Sequence, residues 1–161
     1  MTTIHRTTIL GAGFGALSTV RELRQRGASE QDWVLVHDAA RCLITPEQID
    51  ALIDACAVDA VGGLLAHKLA DTLKTALTGT SGTRVLSTVE RSDKWLAQTP
   101  QMFRLGALQA AIEKIGAAVT DEASAMEAVG LRPLLVPGGA LNFKVTYPQD
   151  FALAQAVRAP L

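Results

Sequence analysis

The chain has 161 residues, 48% of them hydrophobic, a mean hydropathy of +0.22 and a formal net charge of −1. That suffices for one globular domain spanning 1–161 with a real core, and near-neutral charge without a basic cluster argues against a nucleic-acid surface. Aromatic residues at 4% offer too few stacking platforms for single strands, although a few placed cations would still suffice for a nucleotide substrate.

The start, MTTIHRTTIL, has no apolar run long enough for a signal peptide, and no segment could span a membrane, so a cytoplasmic protein is expected. Cys42 and Cys56 are too far apart for a CxxC motif and read as reduced, buried thiols.

Thr7 to Leu10 reads as a brief strand, Gly11-Ala12-Gly13-Phe14-Gly15-Ala16 as a Gly-rich turn, and Leu17 to Arg26 as a helix with apolar residues at Leu17, Val20 and Leu23. Trp33 to Val36 is a short apolar run rich in β-branched residues, a strand buried on both faces. Together these form a βαβ unit with G-x-G-x-x-A, in which backbone N–H groups and a helix N-terminus can cradle phosphates. Gly11, Ala12 and Gly13 are therefore candidate nucleotide-binding residues, and the unit resembles the opening of NAD- or FAD-dependent oxidoreductases. A purely structural turn is the other reading.

His37, Asp38 and Arg41 follow the Trp33 strand, separated only by Ala39 and Ala40. Open α/β sheets bind ligands past the carboxyl ends of their strands. There a carboxylate can hold Mg²⁺, a guanidinium can grip phosphate oxygens, and the alanines let a ligand approach the backbone. A surface loop with a local Asp–Arg pair is the plain alternative.

Thr45-Pro46-Glu47-Gln48 starts a helix, with Thr45 as N-cap and Pro46 at N1, and Ile49, Leu52, Ile53 and Cys56 make its buried stripe. Ala60 to Ala66 is a strand in which Gly62 and Gly63 admit a close neighbour. The histidines at 5, 37 and 67 are scattered, so a His-based metal site is not expected. Leu77 to Gly82 is a turn-rich tip, and the segments flanking it, within 70–92, read as a projecting β-arm. Such an arm would be stabilised by lying on a partner subunit.

In the run from Arg91 to Phe103, Trp95, Met102 and Phe103 read as core anchors that position Arg91, Gln98 and Thr99. Leu105 to Ile115 is an amphipathic helix, and Thr120 caps the next, with Asp121 and Glu122 in its first turn. Leu134 to Val136 and Asn142 to Thr146 read as short strands, and a last helix runs from Pro148 to about Val157. Lys144, between apolar neighbours, calls for an anion, and a phosphate is a natural one.

Taken together, VHDAAR (36–41), DTLK (71–74), TVERSDKWLAQTPQMF (88–103), TDEASAME (120–127) and NFKVT (142–146) resemble the 2-C-methyl-D-erythritol 4-phosphate cytidylyltransferases of the non-mevalonate isoprenoid pathway, over roughly Glu30 to Val157. The resemblance implies a three-layer, Rossmann-like α/β nucleotidyltransferase fold that forms a homodimer through the arm. It implies transfer of a cytidylyl group from CTP to methylerythritol phosphate, with Mg²⁺ on the CTP phosphates. By the same resemblance Asp38, Arg41 and Lys144 are catalytic, Asp38 with the metal, and Ala39 lines the cytidine pocket. Thr72, Arg91, Thr99, Thr120 and Lys144 would hold substrate phosphate and hydroxyls, some of them across the dimer.

The resemblance also has a gap. Members of the family open with a Gly-rich loop bearing basic residues and then a Pro-Lys-Gln motif whose Lys serves the triphosphate. Here Gly11 to Gly15 echoes the loop without those cations, so 1–27 is an atypical segment and the fold is expected to be incomplete at its N-terminus. A dinucleotide-binding module built on Gly11 to Gly15, or a catalytically inactive dimerising remnant, are the competing readings.

Overall fold

A computed structural model of the chain describes residues 7–10, 14–116 and 120–158, with side chains from 18 onward. Five strands form one mixed sheet in the order β1 (Thr7–Leu10), β2 (Trp33–His37), β6 (Trp95–Arg104), β3 (Gly62–Lys68) and β7 (Leu134–Pro137). The β1–β2 and β3–β7 pairs are parallel, and β6 runs antiparallel to both its neighbours. The carboxyl ends of β2, β3 and β7 therefore meet the amino end of β6 at one edge of the sheet.

The alternation along β2 builds the three layers. Val34 and Val36 face a core shared with Val20 of α1 (Phe14–Gln25), Leu108 and Ile112 of α3 (Leu105–Ile115), and Ala125 and Met126 of α4 (Glu122–Ala128). Trp33 and Leu35 face the other way, onto Leu52, Ile53 and Cys56 of α2 (Pro46–Ala57). Both faces of the strand are buried, as its unbroken apolar run predicts. The α2 start is as read: Thr45 accepts from the Gln48 N–H while the Gln48 side chain returns to the Thr45 N–H, with Pro46 inside the first turn.

Gly62 and Gly63 are where backbones come close. A Cβ on Gly62 would lie 2.2 Å from the Met102 carbonyl oxygen, and one on Gly63 would lie 2.6 Å from that of Leu134. Gly62 also has φ +103°, a region side chains rarely adopt.

The arm is β4 (Leu73–Gly79) paired with β5 (Gly82–Val89) in a two-stranded sheet of its own. Its turn is narrower than LTGTSG, because Leu77 to Gly79 continue the ladder opposite Gly82 to Arg84. The last helix, α5, runs Pro148–Arg158.

Several expectations need correcting. The helix expected from Leu17 begins at Phe14 and so takes in Gly15 and Ala16. The run from Trp95 to Phe103 is the central strand, masked in sequence by Pro100, a residue that argues against an interior strand. Met102 and Phe103 are core, but Trp95 is only half-buried, with the Lys68 ammonium 5.8 Å from its ring centre. The segment from Asn142 to Thr146 is not a strand: no described strand pairs with it, and the Arg41 and Gln98 side chains and a single backbone bond from Val145 to Ala40 hold it instead. Asp121, not Thr120, is the N-cap of α4; its side chain accepts from the Ser124 N–H and Ser124 completes the box. Cys56 is buried as expected, whereas Cys42 is exposed.

Candidate active site

A small cavity of about 170 Å³ opens at the edge where β2 and β6 meet, with Asp38, Arg41, Thr99, Thr120, Glu122 and Lys144 on its wall. The key to its position is a bulge. Leu64 pairs with Gln101 and Ala66 with Ala97, so Leu65 alone stands opposite Gln98, Thr99 and Pro100. Bulges re-aim side chains and interrupt pairing, and this one turns Gln98 and Thr99 into the space beyond β2.

Asp38 is the first residue past β2. Its backbone N–H donates to the Thr99 hydroxyl at 2.9 Å, its Oδ1 accepts from the Ala40 N–H at 3.1 Å, and its Oδ2 lies 2.6 Å from the Lys144 Nζ. Burial pushes its pKa up, but the Lys144 hydrogen bond, the Ala40 N–H and the Lys144 and Arg41 charges outweigh burial and hold it below the ordinary carboxylate value.

His37 faces two groups: Nε2 is 3.1 Å from the Arg41 carbonyl oxygen and Nδ1 is 3.1 Å from the Thr99 hydroxyl. A carbonyl only accepts, so Nε2 carries the hydrogen; Nδ1 of the neutral ring then accepts from the Thr99 O–H. Burial lowers the His37 pKa, in keeping with that neutral ring. Thr99 thus orients Asp38 and His37 at once.

Arg41 turns inward. Its Nη1 donates to the Asn142 carbonyl at 2.7 Å and its Nη2 to that of Ala97 at 3.2 Å, while its Nε is buried without a partner. Burial lowers its pKa, partly offset by the Asp38 charge. Thr120 is exposed at the rim, where its N–H and hydroxyl both point to the Ser124 hydroxyl.

Other expected site residues lie elsewhere. Ala39 is exposed on the turn beside Asp38. Thr72 and Arg91 are exposed at the foot of the arm, outside the cavity of their own chain. Gly11, Ala12 and Gly13 fall outside the described residues.

Sequence reasoning missed three buried polar groups here. Glu122, read as a helix-cap acid, is 3% exposed, and burial, then the neighbouring charges of Asp121 and Asp38, raise its pKa to about 7 against the pull of its own backbone N–H. The Gln101 amide donates to Asp121 at 3.0 Å and accepts from the Ala123 N–H at 2.7 Å, pinning the start of α4 to β6. Asn142 is completely buried beneath Lys144's segment. The Gln98/Gln101 spacing and the polar neighbour two residues before Lys144 were the available signals.

Among the described residues no group of three or more His, Cys, Asp or Glu could hold a metal ion. Mg²⁺ takes oxygen ligands, commonly from one or two carboxylates plus substrate phosphates. Asp38 is such a carboxylate, which suits an ion delivered by a phosphate ligand rather than one caged by protein alone.

A mixed sheet between two helical layers, with an acid, two cations and hydroxyls at the strand ends, defines an α/β nucleotidyltransferase-like protein. The sequence profile of 2-C-methyl-D-erythritol 4-phosphate cytidylyltransferase matches residues 14–159, and the chain belongs to that family. It is 65% identical over 141 residues to a bifunctional IspD/IspF enzyme of Albidiferax ferrireducens, covering 88% of this chain and 33% of the relative. It is 56% identical over 149 residues to a 2-C-methyl-D-erythritol 4-phosphate cytidylyltransferase of Laribacter hongkongensis, covering 92% and 64%. The crystal structure of a 4-diphosphocytidyl-2C-methyl-D-erythritol synthase superposes with a TM-score of 0.82 at 44% identity, covering 90% of this chain and 66% of that one. The Francisella tularensis cytidylyltransferase structure gives 0.77 at 32% identity, covering 88% and 65%. The chain thus spans between a third and two thirds of the length of the curated relatives it matches first.

Proposed function

We propose that this chain carries the methylerythritol phosphate half of a cytidylyltransferase site, serving transfer of a cytidylyl group from CTP to 2-C-methyl-D-erythritol 4-phosphate. The observation that carries this reading is the convergence of Asp38, Arg41, Thr99, Thr120 and Lys144, drawn from four separate sequence motifs, on one cavity. In the reaction a phosphate oxygen of methylerythritol phosphate attacks the α-phosphorus of CTP, the α–β phosphoanhydride bond breaks, and pyrophosphate leaves. Positioning and charge neutralisation carry such transfers.

Lys144 is the group for the incoming phosphate. Its stem is half-exposed and its partner, Asp38, is a carboxylate that a dianionic phosphate can replace. Asp38 is the carboxylate that would add an oxygen to a Mg²⁺ ion held by the CTP phosphates, and such an ion would supply charge neutralisation there. Asp38 would lie on the methylerythritol phosphate and metal side, and Ala39 would line the cytidine pocket. Gly11 to Gly13, with no lysine or arginine of their own, offer the triphosphate only backbone donors. Thr72 and Arg91 would act on a partner's cavity through an arm-mediated homodimer. No described helix is long and apolar enough to cross a membrane.

Thermal unfolding with each ligand tests the reading. At a hundred times its dissociation constant a ligand stabilises by about 2.7 kcal/mol. Methylerythritol phosphate and CTP–Mg²⁺ should each raise Tm, and pyrophosphate release should then be assayed. A rise with NAD or FAD alone would overturn the reading in favour of the glycine turn.

A further inference from the structure

We propose that Gln98 and Asn142 are positioning residues, a buried amide clasp that fastens the 139–145 segment to the bulge of β6 and so sets Lys144 at Asp38. The segment after β7 belongs to no helix or strand, so its backbone groups must find partners elsewhere. The Gln98 amide donates to the Gly139 carbonyl at 2.9 Å and to that of Asn142 at 3.2 Å. The Asn142 amide donates in return to the Thr99 carbonyl at 2.9 Å and to the Gln98 Oε1 at 3.4 Å. Arg41 adds its own bond to the Asn142 carbonyl, and the Val145 N–H donates to the Ala40 carbonyl at 2.9 Å.

Lys144 therefore lies between two tethers, Asn142 on one side and Val145 on the other. Asn142 and Gln98 are 0% and 5% exposed. The clasp's bonds use both amide nitrogens and the Gln98 oxygen, while the Asn142 Oδ1 is buried without a partner, a cost that a purely space-filling residue would not carry. Apolar residues could fill the same volume, but only donors and acceptors at these places dictate a single register. Asn142 ties the two walls of the cavity together: through Thr99 it reaches the groups that orient Asp38, and through its own backbone it reaches Lys144. A lysine on a free loop would sample many rotamers; here its backbone is set beforehand.

The test combines a spectroscopic signature with a double-mutant cycle on the full chain, and only the affinity arm rests on the proposed function. In reductively ¹³C-methylated protein, the Lys144 methyl resonances, assigned by their loss in Lys144→Arg, should be displaced from those of solvated lysines. Asn142→Ala should return them to the solvated position, while those of Lys94, paired with Asp93 and outside the wall of this cavity, stay put. Gln98→Met, close in volume, should do the same if Asn142→Ala fails to fold. Methylerythritol phosphate affinity should fall about tenfold in Asn142→Ala and in Lys144→Met, with no further loss in the double variant. Displaced Lys144 signals in both folded clasp variants would overturn the proposal, as would losses that multiply. Should the unaltered chain not bind methylerythritol phosphate at all, the functional reading falls and the resonances alone decide the clasp.

Discussion

The Lys144 side chain is 48% exposed, yet its ammonium lies 2.6 Å from the Asp38 carboxylate. A pair so open to water contributes little to stability, at most about 1 kcal/mol, so its placement points to ligand chemistry. Lys144→Met should leave the urea midpoint nearly unchanged while weakening methylerythritol phosphate binding, as read by calorimetry; equal affinity would remove Lys144 from the site. Glu122 poses the opposite case. Its pKa is raised from 4.5 to about 7, so the folded chain keeps a proton that the unfolded chain releases. Stability contributed by that proton is fully present below about pH 4.5 and is lost as pH rises to about 7, amounting to about 3 kcal/mol. Burial lowers the His37 pKa, and His37 works in the other direction, losing stability as pH falls below its unfolded value of 6.5. Comparison with Glu122→Gln isolates the carboxyl: the difference in unfolding free energy should shift in the variant's favour between pH 4.5 and 8. A difference that stays constant with pH would mean that Glu122 ionises freely.

At the scale of elements, the crossing of β3 with its two neighbours is the tightest constraint. Gly62→Ala would drive a Cβ to 2.2 Å from a backbone oxygen at φ +103°, and neither backbone can yield without opening the sheet. A loss of about 3 kcal/mol is expected from urea unfolding. Gly79→Ala, with nothing within 4 Å of the added atom, should lie within about 0.5 kcal/mol of the parent. Elements whose signal is local were legible in sequence: the capped α2, the amphipathic α3, the apolar β2 and the glycine pair of β3. Those decided by tertiary partners were not. Central strand β6 was hidden because Pro100 falls where the bulge suspends pairing, so the missing N–H costs the ladder nothing. The 142–146 segment reads as a strand from its alternation but meets amides instead of a neighbouring strand. The same divide runs through the site. Asp38, Arg41 and Lys144 were visible as residues, whereas Arg41's inward turn and the burial of Glu122 depend on loops distant in sequence.

For the whole molecule, the arm is the feature that one chain leaves unresolved. Strands of seven and eight residues extend roughly 23–26 Å, pair only with each other, and carry Leu77, Val85 and Leu86 at 61%, 66% and 64% exposure. A lone two-stranded ribbon is marginal in water, and these exposed aliphatic side chains, with Leu73 beside them, are what an interface would cover. Thr72 and Arg91 stand at its foot, away from their own cavity. A two-fold dimer is self-complementary, so an arrangement that seats one arm on the partner seats the other too, and carries both feet toward opposite cavities. Sedimentation should accordingly show a dimer at micromolar concentration, and Leu77→Asp with Val85→Asp should give a folded monomer. If the feet act across the interface, Arg91→Ala and Lys144→Met chains mixed together should recover methylerythritol phosphate binding in about a quarter of the cavities at random pairing, since such a cavity draws its lysine from one chain and its arginine from the other. A chain that sediments as a monomer while still binding the ligand would confine the site to one subunit and leave the arm to a different partner.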